Sequence, residues 1–293
     1  MHIQLQNGPC TAEIDTLGGE LTSFRDGAGT EYIWGGDPAY WSGRNPILFP
    51  IVGSLKDGRV RIQGREYKMG RHGFARRSQF TLAEQGPSHA VLELRESPDT
   101  LARYPFPFLL RVRHELLEDG FSTTFEVENP GDAPLPCCVG AHTAFRCPLY
   151  EGQRFEEYAL VFDQTEDARS LPLTPQGLIS AGAGIPILRG TDTIPLTHQP
   201  FDELDTLIFQ HLRSTGVRLV HRDTGRGVHM EFKDFPMIAF WTPAHANAPF
   251  ICLEPWHGCA AWDNESGEFT HKPHCITLLP GEQKALSYTV RTV

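Results

Sequence analysis

The chain has 293 residues, with 26 basic and 36 acidic side chains, a net charge of −10 with histidine neutral. Its length allows a sizeable core, and 40% hydrophobic against 21% charged residues is the composition of a folded chain rather than a disordered one. The acidic balance argues against nucleic acid, whose phosphates require a basic face. The longest apolar stretch, Ile47–Val52, falls far short of the ~20 residues of a membrane helix. The opening residues, MHIQLQNGPC, lack a basic patch followed by an apolar run, so no signal peptide is expected. Seven cysteines in a long chain fit free thiols in a reducing cytoplasm better than a disulfide scaffold.

Glycine (28) and proline (23) together exceed one residue in six and are spread along the chain, as expected for many short strands joined by turns. In chain order, Arg59–Ile62 and Arg65–Met69 alternate with period two around Gln63-Gly64. Ser97–Tyr104 is the best helical signal, with Ser97 as cap, Pro98 at the first helical position, and about two turns before Pro105. Leu110–Leu116 and Phe121–Glu128 form the clearest hairpin, with Asp119-Gly120 at its turn. Residues 163–200 are rich in Pro, Gly, Ser and Thr. Strand-like stretches resume beyond them without a shift in composition, so a long excursion within one domain is expected rather than a linker. Val217–His221 and Val228–Phe232 pair across Asp223-Thr224-Gly225. No long amphipathic helix, heptad or fixed-period repeat is present. The expectation is a large antiparallel β-sandwich, all-β, with residues 1–293 as one domain.

Three places set polar groups in apolar or turn-like surroundings. Arg44 leads directly into the apolar run Ile47–Val52, and His72 stands beside Gly73 in Arg71-His72-Gly73-Phe74-Ala75-Arg76. The alternatives there are a cleft arginine with a functional histidine, or a surface arginine with a hydrogen-bonded structural one. His142 lies in the small-residue strand Val139–Phe145. Burial would lower its pKa and a carboxylate neighbour would raise it, which can tune an imidazole for proton transfer; a satisfied core histidine is the alternative. Glu254 ends the apolar run Phe250–Leu253 and is followed by Pro255, where a carboxylate is costly unless paired or functional. Trp256 offers an aromatic wall to the C–H face of a sugar, or ordinary core packing. Asp202, Glu203 and Asp205 precede another apolar stretch, where a solvated strand entrance is the default.

Cys137, Cys138, His142 and Cys147 cluster, as do Cys252, His257, Cys259, His274 and Cys275. Neither group has the paired C-x2-C spacing of zinc sites, so no metal is expected. No Walker loop, G-x-S-x-G elbow or strand-borne G-x-G-x-x-G occurs, which leaves serine acyl transfer and nucleotide chemistry without support.

Arg44–Gly53, Lys56-Asp57-Gly58, Tyr67, Arg71–Arg76, Gly140–Phe145, Cys252–Gly258, Lys272 and Leu279–Glu282 run in the order seen in the aldose 1-epimerase (galactose mutarotase) family. Over nearly its whole length the chain resembles the LacX-like branch of that family. The resemblance implies a supersandwich with an open sugar cleft and interconversion of the anomers of a free aldose. It implies Glu254 as base, His142 as acid, His72 binding or assisting, Arg44 binding sugar hydroxyls, and Asp205 rather than Asp202 as the hydroxyl-binding aspartate. The chemistry needs no cofactor. The expected partner is a small sugar, with no nucleic acid or membrane, and a cytoplasmic monomer or homodimer is expected. Two departures stand out: the motif reads Arg-His-Gly-Phe where better-known members have Leu-His-Gly-Gly, and Thr143 replaces the proline many members carry. Arg71, Arg76 and Arg77 crowd the His72 motif; they suit either an anionic sugar, a hexose phosphate or uronate held by Arg76, or a solvated basic surface. A non-catalytic sugar-binding protein is the rival from another class. A glycoside hydrolase, which needs two carboxylates, has less support, since only one motif-borne carboxylate is evident.

Overall fold

The computed structural model describes residues 1–293. The fold is all-β. A nine-stranded sheet runs in the order Ile185–Pro195, Tyr158–Ser170, Gly216–His221, Gly227–Glu231, Gln283–Thr292, Gly120–Glu128, Leu109–Leu116, His89–Arg95, Thr81–Gln85. A six-stranded sheet runs Thr206–Gln210, Met237–Trp241, Phe250–His257, Val139–Ala141, Ile47–Leu48, with Thr143–Arg146 also paired to Phe250–His257. A three-stranded sheet and two two-stranded ribbons complete the architecture. The two large sheets pack face to face as a sandwich: Phe162 of the larger meets Phe209 and Phe240 of the smaller, with ring centroids 6.1 and 5.9 Å apart. One apolar cluster of 74 buried residues joins them.

The hairpins follow their alternation. Arg59–Ile62 pairs with Arg65–Lys68, and Gln63 (φ 50°) and Gly64 (φ 78°) supply the two left-handed residues of its tight turn. Leu109–Leu116 pairs with Gly120–Glu128 and buries alternate side chains. Here Gly120 serves as a strand residue rather than a turn residue, for a Cβ on it would meet the Val290 carbonyl at 1.9 Å. Gly216–His221 pairs with Gly227–Glu231 as expected.

Three expectations need correction. The helix after Ser97 is only Pro98–Leu101, one turn, although Ser97 caps it in a reciprocal box with Thr100; the chain then turns to bury Tyr104 and Phe106. A second short helix, Gln199–Leu204, carries Asp202 and Glu203, where a strand entrance was expected. Most of the 163–200 excursion is regular: Tyr158–Ser170 and Ile185–Pro195 pair through three register shifts, and those irregularities hide the period. Only residues 171–184 between them form a loop, which returns over the smaller sheet. No helix is long and apolar enough to cross a membrane.

Candidate active site

The site is set by period two on the central strand of the smaller sheet. Along Phe250–His257, Ile251 and Leu253 enter the main core. Phe250 and Cys252 face the opposite side, into a small cluster with Trp34 and Ala144. Glu254 shares that second face. The neighbouring strand is registered by Gly140 opposite Trp256 and Thr143 opposite Leu253. Carried through the gap, this register sets His142 opposite Glu254. The ladder is open there because Pro255 has no N–H to give. Directly opposed side chains lie close, and His142 Nε2 stands 3.3 Å from Glu254 Oε1.

Both groups are buried, Glu254 1% and His142 8% exposed, at the base of a cleft of about 130 Å³. Burial pushes the Glu254 carboxyl well above its usual range; Asp205 adds to that shift and Arg71 opposes it. Burial lowers His142 to about 3, with Arg76 and Arg71 acting in the same direction. The two effects favour a neutral pair, a carboxylic acid beside an unprotonated imidazole. Trp41 stacks on the His142 ring at 4.8 Å, and Trp241 meets it edge-on at 5.5 Å.

His72 enters the same cleft, its ring 5.6 Å from that of His142. Its Nδ1 accepts the Gly53 N–H at 3.1 Å, which assigns the ring proton to Nε2. Burial, reinforced by His142, Arg76 and Arg71, holds it well below the ordinary histidine range. His72 is therefore a neutral N–H donor. Its backbone has φ 65°, a strained conformation for a non-glycine residue. Its neighbour Gly73 sits so close to the Phe49 carbonyl that a Cβ would approach it to 2.2 Å.

Asp205 also lines the cleft, at φ 63° after the helix Gln199–Leu204, and accepts the Thr206 hydroxyl at 2.8 Å. Asp202 does not line it; its carboxylate caps the His245 N–H at 2.5 Å. Trp256 lines the cleft but is 5% exposed, so it forms a floor more than an open wall. Arg76 lines the cleft as well. Six buried side-chain polar atoms lack a hydrogen-bond partner, and four of them belong to this cleft: Arg76 Nε, His142 Nδ1, Glu254 Oε2 and Trp256 Nε1. Such concentration of unpaired polar groups is costly in a core and suits a ligand site.

Arg44 is placed elsewhere, and its expected sugar contact is withdrawn. Asn45 turns inward, where its Oδ1 accepts the Thr143 hydroxyl at 2.8 Å, while Arg44 does not line the cleft. The Arg44 guanidinium packs on Gly36, whose Cβ would lie 3.0 Å from its Cζ, in a separate groove with Arg25 and Glu31. Sequence reasoning also missed Trp41, Trp241 and Ser54, and saw Arg71 only as part of a basic cluster. The one available signal for Trp41 was the Trp41-Ser42-Gly43 loop: Gly43 lies under the indole, where a Cβ would come within 2.3 Å of the ring.

His142, Cys252 and Glu254 bring one ligand-type atom each within 4.8 Å of one another. Burial keeps the Cys252 thiol protonated, and ionisation of Glu254 would add to this; Arg71 and Arg76 place positive charge against His142. The electrostatics of the cleft favour an anion over a cation.

The family model for aldose 1-epimerase matches residues 1–291. The chain belongs to the aldose 1-epimerase family. It is 36% identical to the chromosomal protein LacX of Lactococcus lactis subsp. lactis over 299 residues, covering 99% of each chain. It is similar in structure to a galactose mutarotase related enzyme from Lactobacillus acidophilus (TM-score 0.94, 26% identity, covering 100% of this chain and 97% of that one). A galactose mutarotase-like protein from Lactobacillus casei ATCC 334 gives a TM-score of 0.92 at 27% identity, with both chains covered fully. The galactose mutarotase-like fold expected from the sequence is thus the fold observed.

Proposed function

We propose that the chain is an aldose 1-epimerase that interconverts the α and β anomers of an aldose by acid–base ring opening and reclosure. One observation carries this reading: a carboxyl and an imidazole 3.3 Å apart at the base of a cleft lined with unpaired polar atoms. Binding a sugar requires no such acid–base pair. Anomer exchange does, because opening the pyranose ring removes a proton from the C1 hydroxyl and delivers one to the ring oxygen. Both oxygens are bonded to C1, so two groups in contact with each other can each address one of them.

Glu254 removes the hydroxyl proton and His142 protonates the ring oxygen; reclosure after rotation about C1–C2 reverses the roles. The neutral pair and the carboxylate–imidazolium pair hold the same number of protons. Passing from one to the other is an internal transfer that takes nothing from solvent. Sugar hydroxyls bonded to the carboxylate favour its ionised form once substrate is in place. The His72 Nε2–H and the Asp205 carboxylate hold hydroxyls, and Trp41 and Trp241 keep water from the imidazole.

Polarimetry with a panel of aldoses tests the proposal. The expected result is exchange faster than the uncatalysed drift, in proportion to protein added. Sugar binding without any acceleration would overturn it in favour of a binding protein.

A further inference from the structure

Cys138 and Cys275 stand opposite each other at the end of a two-stranded ribbon. Leu135–Cys137 pairs antiparallel with Ile276–Leu278, Leu135 opposite Leu278 and Cys137 opposite Ile276. One step further, this register sets Cys138 opposite Cys275. Pro136 has no N–H, so Pro136 and Thr277 cannot be a hydrogen-bonded pair. Bonded and non-bonded pairs alternate along an antiparallel ladder, which makes Cys138 and Cys275 a non-bonded pair as well. Their own N–H groups agree: that of Cys138 donates to the Pro50 carbonyl at 2.8 Å, and that of Cys275 to the Lys272 carbonyl at 3.1 Å. Non-bonded pairs bring their Cα atoms to about 4.5 Å, inside the range of about 4.4–6.8 Å that a disulfide spans.

The thiols are disposed accordingly. The Cys275 Sγ donates to the Cys137 carbonyl at 3.6 Å, the carbonyl of the peptide that leads into Cys138. Of the seven free thiols, six are buried and Cys275 alone is partly exposed. One thiol of the pair can therefore meet a solute and the other cannot. The neighbouring Cys275 thiol and burial hold the Cys138 thiol well above its ordinary range, and the Lys272 ammonium opposes that rise. Lys272 is itself buried, paired with Glu265 at 3.3 Å. An accessible thiol beside a shielded one with a cation near it suits an attacking and a resolving cysteine.

We propose that Cys138 and Cys275 are a redox-active pair that closes to a disulfide by exchange with a low-molecular-weight disulfide of the glutathione class. The Cys275 thiolate attacks one sulfur of that disulfide, forming a mixed disulfide and releasing one small thiolate. Cys138 gives up its proton and attacks the Cys275 sulfur, and the second small thiolate leaves. Two protein thiols are thus oxidised to one protein disulfide, while one small disulfide is reduced to two thiols. The bond ties the strand that leads into Val139–Ala141 to the segment after Lys272. Because the register already sets the two residues face to face, it closes without straining the fold, and it stabilises the chain by closing a long loop. Neither thiol lines the catalytic cleft, so the inference stands or falls apart from the epimerase reading.

The test incubates the full-length chain, folded and reduced, with excess oxidised glutathione, blocks the remaining thiols by alkylation and maps the peptides. The expected result is loss of two of the seven thiols, a peptide cross-linked between Cys138 and Cys275, and return of both thiols on treatment with dithiothreitol. In Cys275→Ser neither thiol of the pair is lost. In Cys138→Ser the reaction stops at a glutathione adduct on Cys275. Urea denaturation of the oxidised chain shows a midpoint above that of the reduced chain, a shift absent in Cys275→Ser. No cross-link in the wild-type chain, a glutathione adduct that persists on Cys275 with Cys138 intact, or a bond from Cys138 to Cys259 instead each overturn the pair. A midpoint lowered by oxidation overturns it too, because it shows that the bond forms only by distorting the ribbon.

Discussion

His142 and Glu254 oppose each other across two antiparallel strands, with Nε2 and Oε1 3.3 Å apart, because the register on either side of the gap in the ladder at Pro255 sets them opposite each other. Without that proline the two strands would pair continuously from Gly140 opposite Trp256 to Thr143 opposite Leu253. The flanking register holds both side chains in place. Rigid placement on strands is what proton transfer within hydrogen-bond reach requires.

Removing the carboxylate should separate chemistry from binding. Glu254→Gln is nearly isosteric and keeps the hydrogen-bonding capacity of the side chain, but it cannot accept the C1 hydroxyl proton. Its anomerisation rate is expected to fall by ~10²–10⁴-fold, with sugar affinity retained. Polarimetry for the rate and calorimetry for affinity make the check. Full activity in Glu254→Gln on the best substrate would refute the assignment of the base.

The pH dependence has a sign fixed by the direction of both shifts. The competent pair carries one proton. A second proton is added only when His142 titrates, and burial holds that at about 3. The last proton leaves only when Glu254 titrates, and burial raises that well above the carboxylate range. Activity is therefore lost on the acid side far below the usual histidine pKa of ~6.5, and kcat/KM shows no acid limb in the ordinary histidine range. An acid limb near 6.5 in kcat/KM would mean that the imidazole is hydrated and not held as described.

Much of this site was legible in the sequence, and the reasons differ residue by residue. Glu254 could be found because a carboxylate inside an apolar strand is costly, and His142 because an imidazole among small apolar residues is nearly as conspicuous. Their contact was not legible, since it depends on strand order and on a register set by residues far apart in the chain. Arg44 misled because a residue entering a strand has two faces open to it. Its guanidinium is taken up by the groove beside Gly36 instead, a loop contact that no local pattern shows. Trp41 was silent for a related reason: a tryptophan in a loop carries no period, and its place over His142 comes from the Trp34 Nε1–H bonded to its carbonyl at 2.9 Å and from Gly43 beneath it. The hairpins were readable throughout because alternation is local. The paired strands of 163–200 were not, because three shifts in register break the period.

Trp41 should act on His142 through desolvation. Its indole covers the ring at 4.8 Å and is itself braced edge-on by Trp241 at 5.4 Å. Trp41→Ala opens that face to water. Hydration favours the charged imidazolium, so the acid limb moves upward toward the ordinary histidine range, and kcat/KM at neutral pH drops about tenfold as the position of the pair loosens. A pH profile of the variant distinguishes this from a loss of fold, which would lower activity at every pH without moving the limb. An unmoved limb removes Trp41 from the mechanism.

The strain at His72 should be visible in stability through its neighbour. Gly73 (φ 71°) and Gly64 (φ 78°) both adopt left-handed backbone, but a Cβ at Gly73 would approach the Phe49 carbonyl to 2.2 Å, whereas at Gly64 it would meet nothing within 4 Å. Gly64→Ala therefore incurs only the left-handed penalty, about 1–2 kcal/mol. Gly73→Ala adds overpacking against backbone that cannot yield, about 1–3 kcal/mol more. Urea denaturation of the two variants measures the difference directly. Gly73→Ala should also raise KM, because a backbone shift at Gly73 would disturb the adjacent His72, whose Nδ1 is held by the Gly53 N–H, and Gly64→Ala, on a hairpin tip remote from the cleft, should leave KM unchanged. Equal stability losses in the two variants would show that the close approach at Gly73 relaxes freely and does not hold His72.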